Sequence, residues 1–245
     1  MRSARFCIYA AGLLVLPIAL AACDMGSGHD KVLGSVDIPS GSSVSDANTV
    51  NGAVNVASKA KAGDASTVNG SINIAADSQV ADAETVNGSI KLGERAVAKT
   101  ATTVNGSVTL AGGATVNGDT TTVNGELQLA PGATVRGSLT NVNGHITVDG
   151  AHVGGGIATS NGDIDITGNA VVDGGIKVHE SKGVLSVHLG KDKLPRIVIG
   201  PGATVNGPLD FEIPVRLYIS DQAHVAGPIN GAQAVKFSGP TPPAS

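Results

Sequence analysis

The residues best equipped for chemistry lie in the second half of this chain of 245 residues. Asp163 and Asp165 stand two positions apart, and Asp149 and Asp173 are expected on neighbouring turns of the chain. Paired carboxylates protonate a leaving oxygen and activate water when a glycosidic bond is cut, so this set would suit a carbohydrate-processing enzyme. His145 and His152 are the nearest candidates for a general base. His179, Glu180 and His188 come closest to a metal-ligating group, yet two histidines nine positions apart without a cysteine fit no compact zinc spacing.

None of these sets is complete. A half-buried strand places solvent-facing carboxylates two apart as a matter of course, and neither histidine has an orienting partner that the sequence can name. Aromatics make up only 2% of the chain. Beyond Ala22 they are Phe211, Tyr218 and Phe237, grouped near one end, which leaves no platform for sugar rings. The nine-residue Gly-Gly-x-Gly-x-Asp pattern of calcium rolls is absent, as are nucleotide-binding loops and nucleophile elbows. The expectation is therefore no catalytic residue, no metal and no cofactor.

What would position such groups is a repeat. Asn51, Asn69, Asn87, Asn105, Asn124, Asn143 and Asn161 each precede a glycine, and the step from one to the next barely changes along the whole series. Such constancy marks stacked coils. Inside each coil a finer period runs through Val32, Ile38, Val44, Val50, Val56, Ala62, Val68 and Ile74, and holds every sixth residue as far as Val116. Six is no helical period, whereas an even spacing keeps a residue on one side of a strand. Three sixes make one coil, so the fold expected is all-β: a single-stranded parallel β-helix, a three-sided solenoid of about 18–19 residues per coil, with the hexad residues pointing inward. The Asn-Gly pairs are expected at a corner where positive φ is tolerated, with their amides bonded up and down the stack. This ladder reads as a structural corner and not as a ligand site.

After Val116 one residue is added per coil, as a corner bulge would add it. The period breaks between Gly183 and Arg196, where Lys191-Asp192-Lys193-Leu194-Pro195-Arg196 reads as a loop leaving the stack. Residues 32–184 are read as β-helix repeats and 185–239 as terminal coils and cap, the latter containing the alternating run Phe211, Ile213, Val215, Leu217 and Ile219. Residues 240–245 form a tail.

The segment 1–22 reads as a signal peptide: Arg2 and Arg5, an apolar run from Phe6 to Ala19, then small residues before Cys23. Leu20-Ala21-Ala22-Cys23 resembles a bacterial lipobox, which implies cleavage before Cys23 and diacylation of its sulfur. The alternative is a plain secretory signal or an uncleaved anchor. With Cys7 removed, Cys23 is the single mature cysteine, so no internal disulfide forms. Residues 23–31 would be the lipidated N-terminus and a short tether. The mature chain carries 14 basic against 20 acidic side chains, which argues against nucleic acid as a partner. Asp24 resembles the inner-membrane retention signal of enteric lipoproteins.

Gly118-Asp119-Thr120-Thr121-Thr122-Val123-Asn124-Gly125-Glu126-Leu127 and Val135-Arg136-Gly137-Ser138-Leu139 resemble the Val-x-Gly-x-Ile repeat of bactofilins, polymer-forming bacterial β-helices. Thr159-Ser160-Asn161-Gly162-Asp163-Ile164-Asp165-Ile166 is similar to repeats of a broad family of adhesin-like solenoid domains. The bactofilin likeness implies a right-handed coil and self-association. The hexad also resembles that of left-handed β-helix acyltransferases, whose catalytic histidine sits at a subunit cleft; neither His145 nor His152 matches that placement. The combined expectation is a non-catalytic lipoprotein of the bacterial cell envelope, a structural or adhesive rod. It would be held at a membrane by its lipid, on the periplasmic side of the inner or outer membrane or at the cell surface. The partners expected are the membrane and an envelope protein or glycan.

Overall fold

A computed structural model describes residues 29–180 and 194–243. Within them 27 short strands form one continuous sheet in which every pairing is parallel, and no helix is present. The strands stack as a β-solenoid of about 11 turns. At about 4.8 Å between coils the stack is on the order of 50 Å tall. The described residues contain no helix long and apolar enough to cross a membrane.

Each coil has three faces. The first follows the Asn-Gly corner, with Val54–Val56 paired in register to Ile72–Ile74 and that strand to Ile90–Leu92. The second is the shortest, for example Thr115–Val116 on Thr134–Val135. The third leads back to the corner, with Ala47–Asn51 on Ala65–Asn69. On the first face the alternation is clean: Ile72 and Ile74 are buried and Asn73 between them is partly exposed. Aliphatic columns on the first and second faces thus fill one core along the stack. Burying each of these side chains contributes about 1.5–3 kcal/mol, and the contribution repeats coil after coil.

The third face departs from the sequence expectation. Val50, Val68, Val86 and Val104 point outward and stay partly exposed, while Thr49, Thr67, Thr85 and Thr103 beside them are buried. The hexad reading therefore holds on two faces and fails on the third. The reason is a buried hydrogen bond: each threonine hydroxyl donates to the carbonyl of a corner glycine, as Thr103 does to Gly88 at 2.8 Å and Thr85 to Gly70 at 2.9 Å. An inward valine would leave that carbonyl without this donor, whereas threonine fills the same volume and supplies it. Val32, in the first coil, is 64% exposed.

The extra residue of the longer coils sits at the corner between the second and third faces. Inward Val116 and Thr120 are separated by Asn117, Gly118 and Asp119, where one coil earlier Ala98 and Ala101 are separated by Lys99 and Thr100 alone. Farther on, Ile164 pairs with Ile197 and Val178 with Phe211, so one circuit of the stack here takes nearly twice the usual length of chain. The pairing is in the same register before and after this stretch. Lys191 to Lys193 lie outside the described residues, and Arg196 opens the next strand of the first face. The alternating run expected over 211–219 is broken: Leu209–Phe211 belongs to the third face and Arg216–Ser220 to the first, with a bend between them. Tyr218 joins Val198 and Phe237 in a small cluster separate from the main core, while Phe211 belongs to that core.

Candidate functional site

The asparagines form an unbroken ladder. Each side-chain Nδ2 donates to the Oδ1 of the asparagine one coil earlier, at 2.9 Å from Asn69 to Asn51, Asn87 to Asn69, Asn105 to Asn87, Asn124 to Asn105 and Asn143 to Asn124, and at 3.0 Å from Asn161 to Asn143. The backbone closes the same corner, since the Gly52 N–H donates to the Asn69 carbonyl at 3.1 Å and the Gly106 N–H to that of Asn124 at 2.9 Å. An amide suits this column because it donates and accepts at once, so identical residues can bond in series.

The glycines are required for a reason other than the one expected. No asparagine of the ladder has positive φ; of the glycines that follow, Gly144 has the positive φ expected, at 139°, while Gly106 at 159° and Gly125 at 158° are close to extended. Space decides instead: a Cβ on Gly88 would lie 1.8 Å from the Gly70 carbonyl oxygen, and one on Gly70 equally close to that of Gly52. Left-handed backbone appears at a different corner, between the first and second faces, through Gly41, Lys59, Asp77, Arg95, Gly113, Gly132 and Gly150. Sequence reading missed that column because its side chains share no chemistry. Its one signal is that it recurs once per coil, in step with the asparagines.

The groups singled out for chemistry are held in bonds between coils. Asp165 sits between His145, whose Nε2 is 3.2 Å away, and the Arg196 guanidinium at 3.0 Å. Asp163 accepts the Arg196 backbone N–H at 2.8 Å. Asp149 is at the other end of that face, accepting from the Thr167 hydroxyl at 3.2 Å. His152 and Asp173 pair at 2.7 Å on a different corner, and Asn206 donates to the same aspartate at 3.2 Å. Glu212 takes Lys177 at 3.2 Å, His179 at 3.4 Å and the Glu180 backbone N–H at 3.2 Å. His188 lies outside the described residues, as does Cys23. Asp163 and Asp165 are thus neighbours that share Arg196, one through its backbone N–H and the other through its guanidinium, and Asp149 and Asp173 do not join them.

Electrostatics follow these partners. The hydrogen bond to Asp165 raises the His145 pKa against its burial, with Asp163 and Glu126 adding attraction. His152 holds the Asp173 carboxyl below its usual range. The Glu180 N–H, then Lys177, does the same for Glu212. Burial first, then repulsion from Asp82 and Asp64, pushes Glu84 up. Among the described residues no group of three or more His, Cys, Asp or Glu side chains is placed to hold a metal ion.

An open groove of about 670 Å³ runs along the coils beside the first face, between the outward column Asp37, Asn55, Asn73 and Lys91 and a floor that includes Ala57 and Ala75. Asn73 donates to Asn55 at 2.8 Å and Asn55 to Asp37 at 2.7 Å, a second and shorter ladder. The surface offered is one of stacked amides, a threonine hydroxyl and methyls, with Asp37 and Lys91 as its charged groups. Compared with family models, with curated proteins and with solved structures, the chain matches none.

Proposed function

We propose that this chain is a non-catalytic lipoprotein of the bacterial cell envelope, a β-helical rod with a structural or adhesive role, tethered through a lipid on Cys23. The observation that carries this reading is the use made of its reactive side chains. His145, His152, His179, Asp165, Asp173 and Glu212 are all spent on partners in adjoining coils. Groups so engaged hold a stack together; they are not poised around an open position for a reacting atom. A β-solenoid is compatible with a rod, and because the first strand already begins at His29, where a tether as far as Lys31 was expected, the few residues between Cys23 and His29 would keep it close to the bilayer. The repetitive faces, rich in Thr, Asn and Ser, suit contact with an envelope protein or a glycan.

A second reading is a bactofilin-like scaffold that assembles end to end. It draws on the terminal coils, where Val32 and Leu33 are 64% and 74% exposed at one end and Ile229 and Val235 are 38% and 51% exposed at the other. Light scattering and electron microscopy of the detergent-extracted chain separate the two readings. Single short rods support the first, and filaments would overturn it in favour of the second. A carbohydrate-processing role requires Asp163 and Asp165, whereas on the non-catalytic reading Asp163→Ala and Asp165→Ala variants leave any glycan turnover by the preparation unchanged.

A further inference from the structure

The chain contains ten Asn-Gly pairs: the seven of the ladder, and those at Asn117, Asn206 and Asn230. Asn-Gly is the dipeptide most prone to lose its side-chain amide, because an unhindered glycine nitrogen can attack the asparagine carbonyl carbon. The reaction needs two freedoms: a glycine N–H that is not engaged, and a side chain free to swing over its own backbone.

The ladder withholds both. The N–H groups of Gly52, Gly70, Gly88, Gly106 and Gly125 donate to the next coil at 2.9–3.1 Å. The asparagine amides beside them are tied to their neighbours at 2.9 Å. At the other pairs the restraint differs. The Gly207 N–H donates to Gly174 at 3.0 Å and the Gly118 N–H to Lys99 at 2.7 Å, although the Asn117 side chain is exposed. Asn230 and Gly231 lie at the end of the stack, both exposed. The strand Ile229–Asn230 pairs on one side alone, with Leu209–Phe211. The Gly231 N–H has no backbone acceptor among the described residues, and the Asn230 amide is held by one bond, donated to Asp210 at 2.7 Å.

We propose that Asn230 is a site of spontaneous deamidation in the folded protein, and that the ladder keeps the seven corner asparagines inert for as long as the coils stay stacked. The Gly231 nitrogen bonds to Cγ of Asn230, the Cγ–Nδ2 bond breaks, and ammonia leaves with the amide proton. Water then opens the succinimide at either carbonyl to give aspartate or isoaspartate. Both products place a carboxylate against Asp210, where like charges on adjacent strands repel and the amide donor is lost. The isoaspartate also lengthens the backbone by one carbon and shifts the register of the last coil. Deamidation would therefore loosen the C-terminal end of the rod and spare its shaft.

The test is peptide mapping by mass spectrometry of the full-length chain, incubated in mildly alkaline buffer either folded or in denaturant. In the folded sample the peptide containing Asn230 gains about 1 Da first, while the ladder peptides remain unchanged. In denaturant all ten pairs convert at similar rates. Asn230→Gln abolishes the early gain without affecting the ladder peptides. Ladder asparagines converting as fast as Asn230 in the folded chain, or Asn230 converting no faster than they do, would overturn the proposal.

Discussion

At the residue scale the corner is governed by space and the ion pairs by proximity between coils. The Asn-Gly register was plain in the sequence, but the reason for its glycine was not, because periodicity records that a small residue recurs and not what approaches it. Gly88→Ala separates the two explanations. If positive φ were the requirement, the change would cost about 1–2 kcal/mol. With a Cβ 1.8 Å from the Gly70 carbonyl oxygen the backbone itself must shift, and a loss of about 3 kcal/mol or more is expected in chemical unfolding. The partner of His145 was invisible for a different cause: Asp165 meets it only after the chain has gone around the stack once, and Arg196 reaches Asp165 only after a second circuit. Because its folded pKa is raised, His145 adds stability that is complete below its ordinary pKa near 6.5 and is lost as pH rises through the higher folded value. His145→Gln should therefore lower the melting temperature in mildly acidic buffer, and the gap should close toward pH 8. The effect will be modest, since a third of the side chain is solvated.

At the element scale the three faces differ in how legible they were. The first and second carry aliphatic columns that hexad counting finds directly. The third hides a polar column, Thr49, Thr67, Thr85, Thr103 and Thr122, behind an outward valine that falls on the same count. Six-residue spacing identifies a column but not its side, and only the burial of each threonine hydroxyl against a glycine carbonyl resolves the choice. The column turns irregular at Asn141 and at Thr159, whose buried hydroxyl has no partner among the described residues. Asn141 replaces threonine, donating to Gly125 at 2.8 Å but leaving its buried Oδ1 without a donor among the described residues. Asn141→Thr keeps a donor to Gly125 and removes the orphan oxygen, so a gain of about 1 kcal/mol is expected in denaturant titration. A loss of similar size would mean that the amide is needed for volume. The left-handed corner was unreadable for the opposite reason: backbone geometry repeats there while chemistry does not. Lys59, Asp77 and Arg95 adopt φ of 61°, 60° and 55°, and the Asp77–Arg95 pair at 2.7 Å spans two of these coils.

At the scale of the whole molecule each coil touches only its neighbours, so stability is a sum of coil and interface contributions. The greater length of chain between Ile164 and its partner Ile197 fits this arithmetic, because added length costs little when pairing resumes in register. Architecture was therefore open to reading over nearly the whole described length. Function was not, since a stack holds its polar groups in mutual bonds and shows outward a repetitive, weakly charged surface. What would distinguish a tethered rod from any other solenoid is the proposed lipid on Cys23. The most direct test is the intact mass of the chain extracted from bacterial membranes, alongside a Cys23→Ser variant. The account predicts a species that starts at Cys23, heavier than its polypeptide by a diacylglyceryl group with or without an added N-acyl chain, and absent from the variant. A chain recovered in the soluble fraction with an unmodified Cys23 thiol, or one retaining Met1, would contradict it.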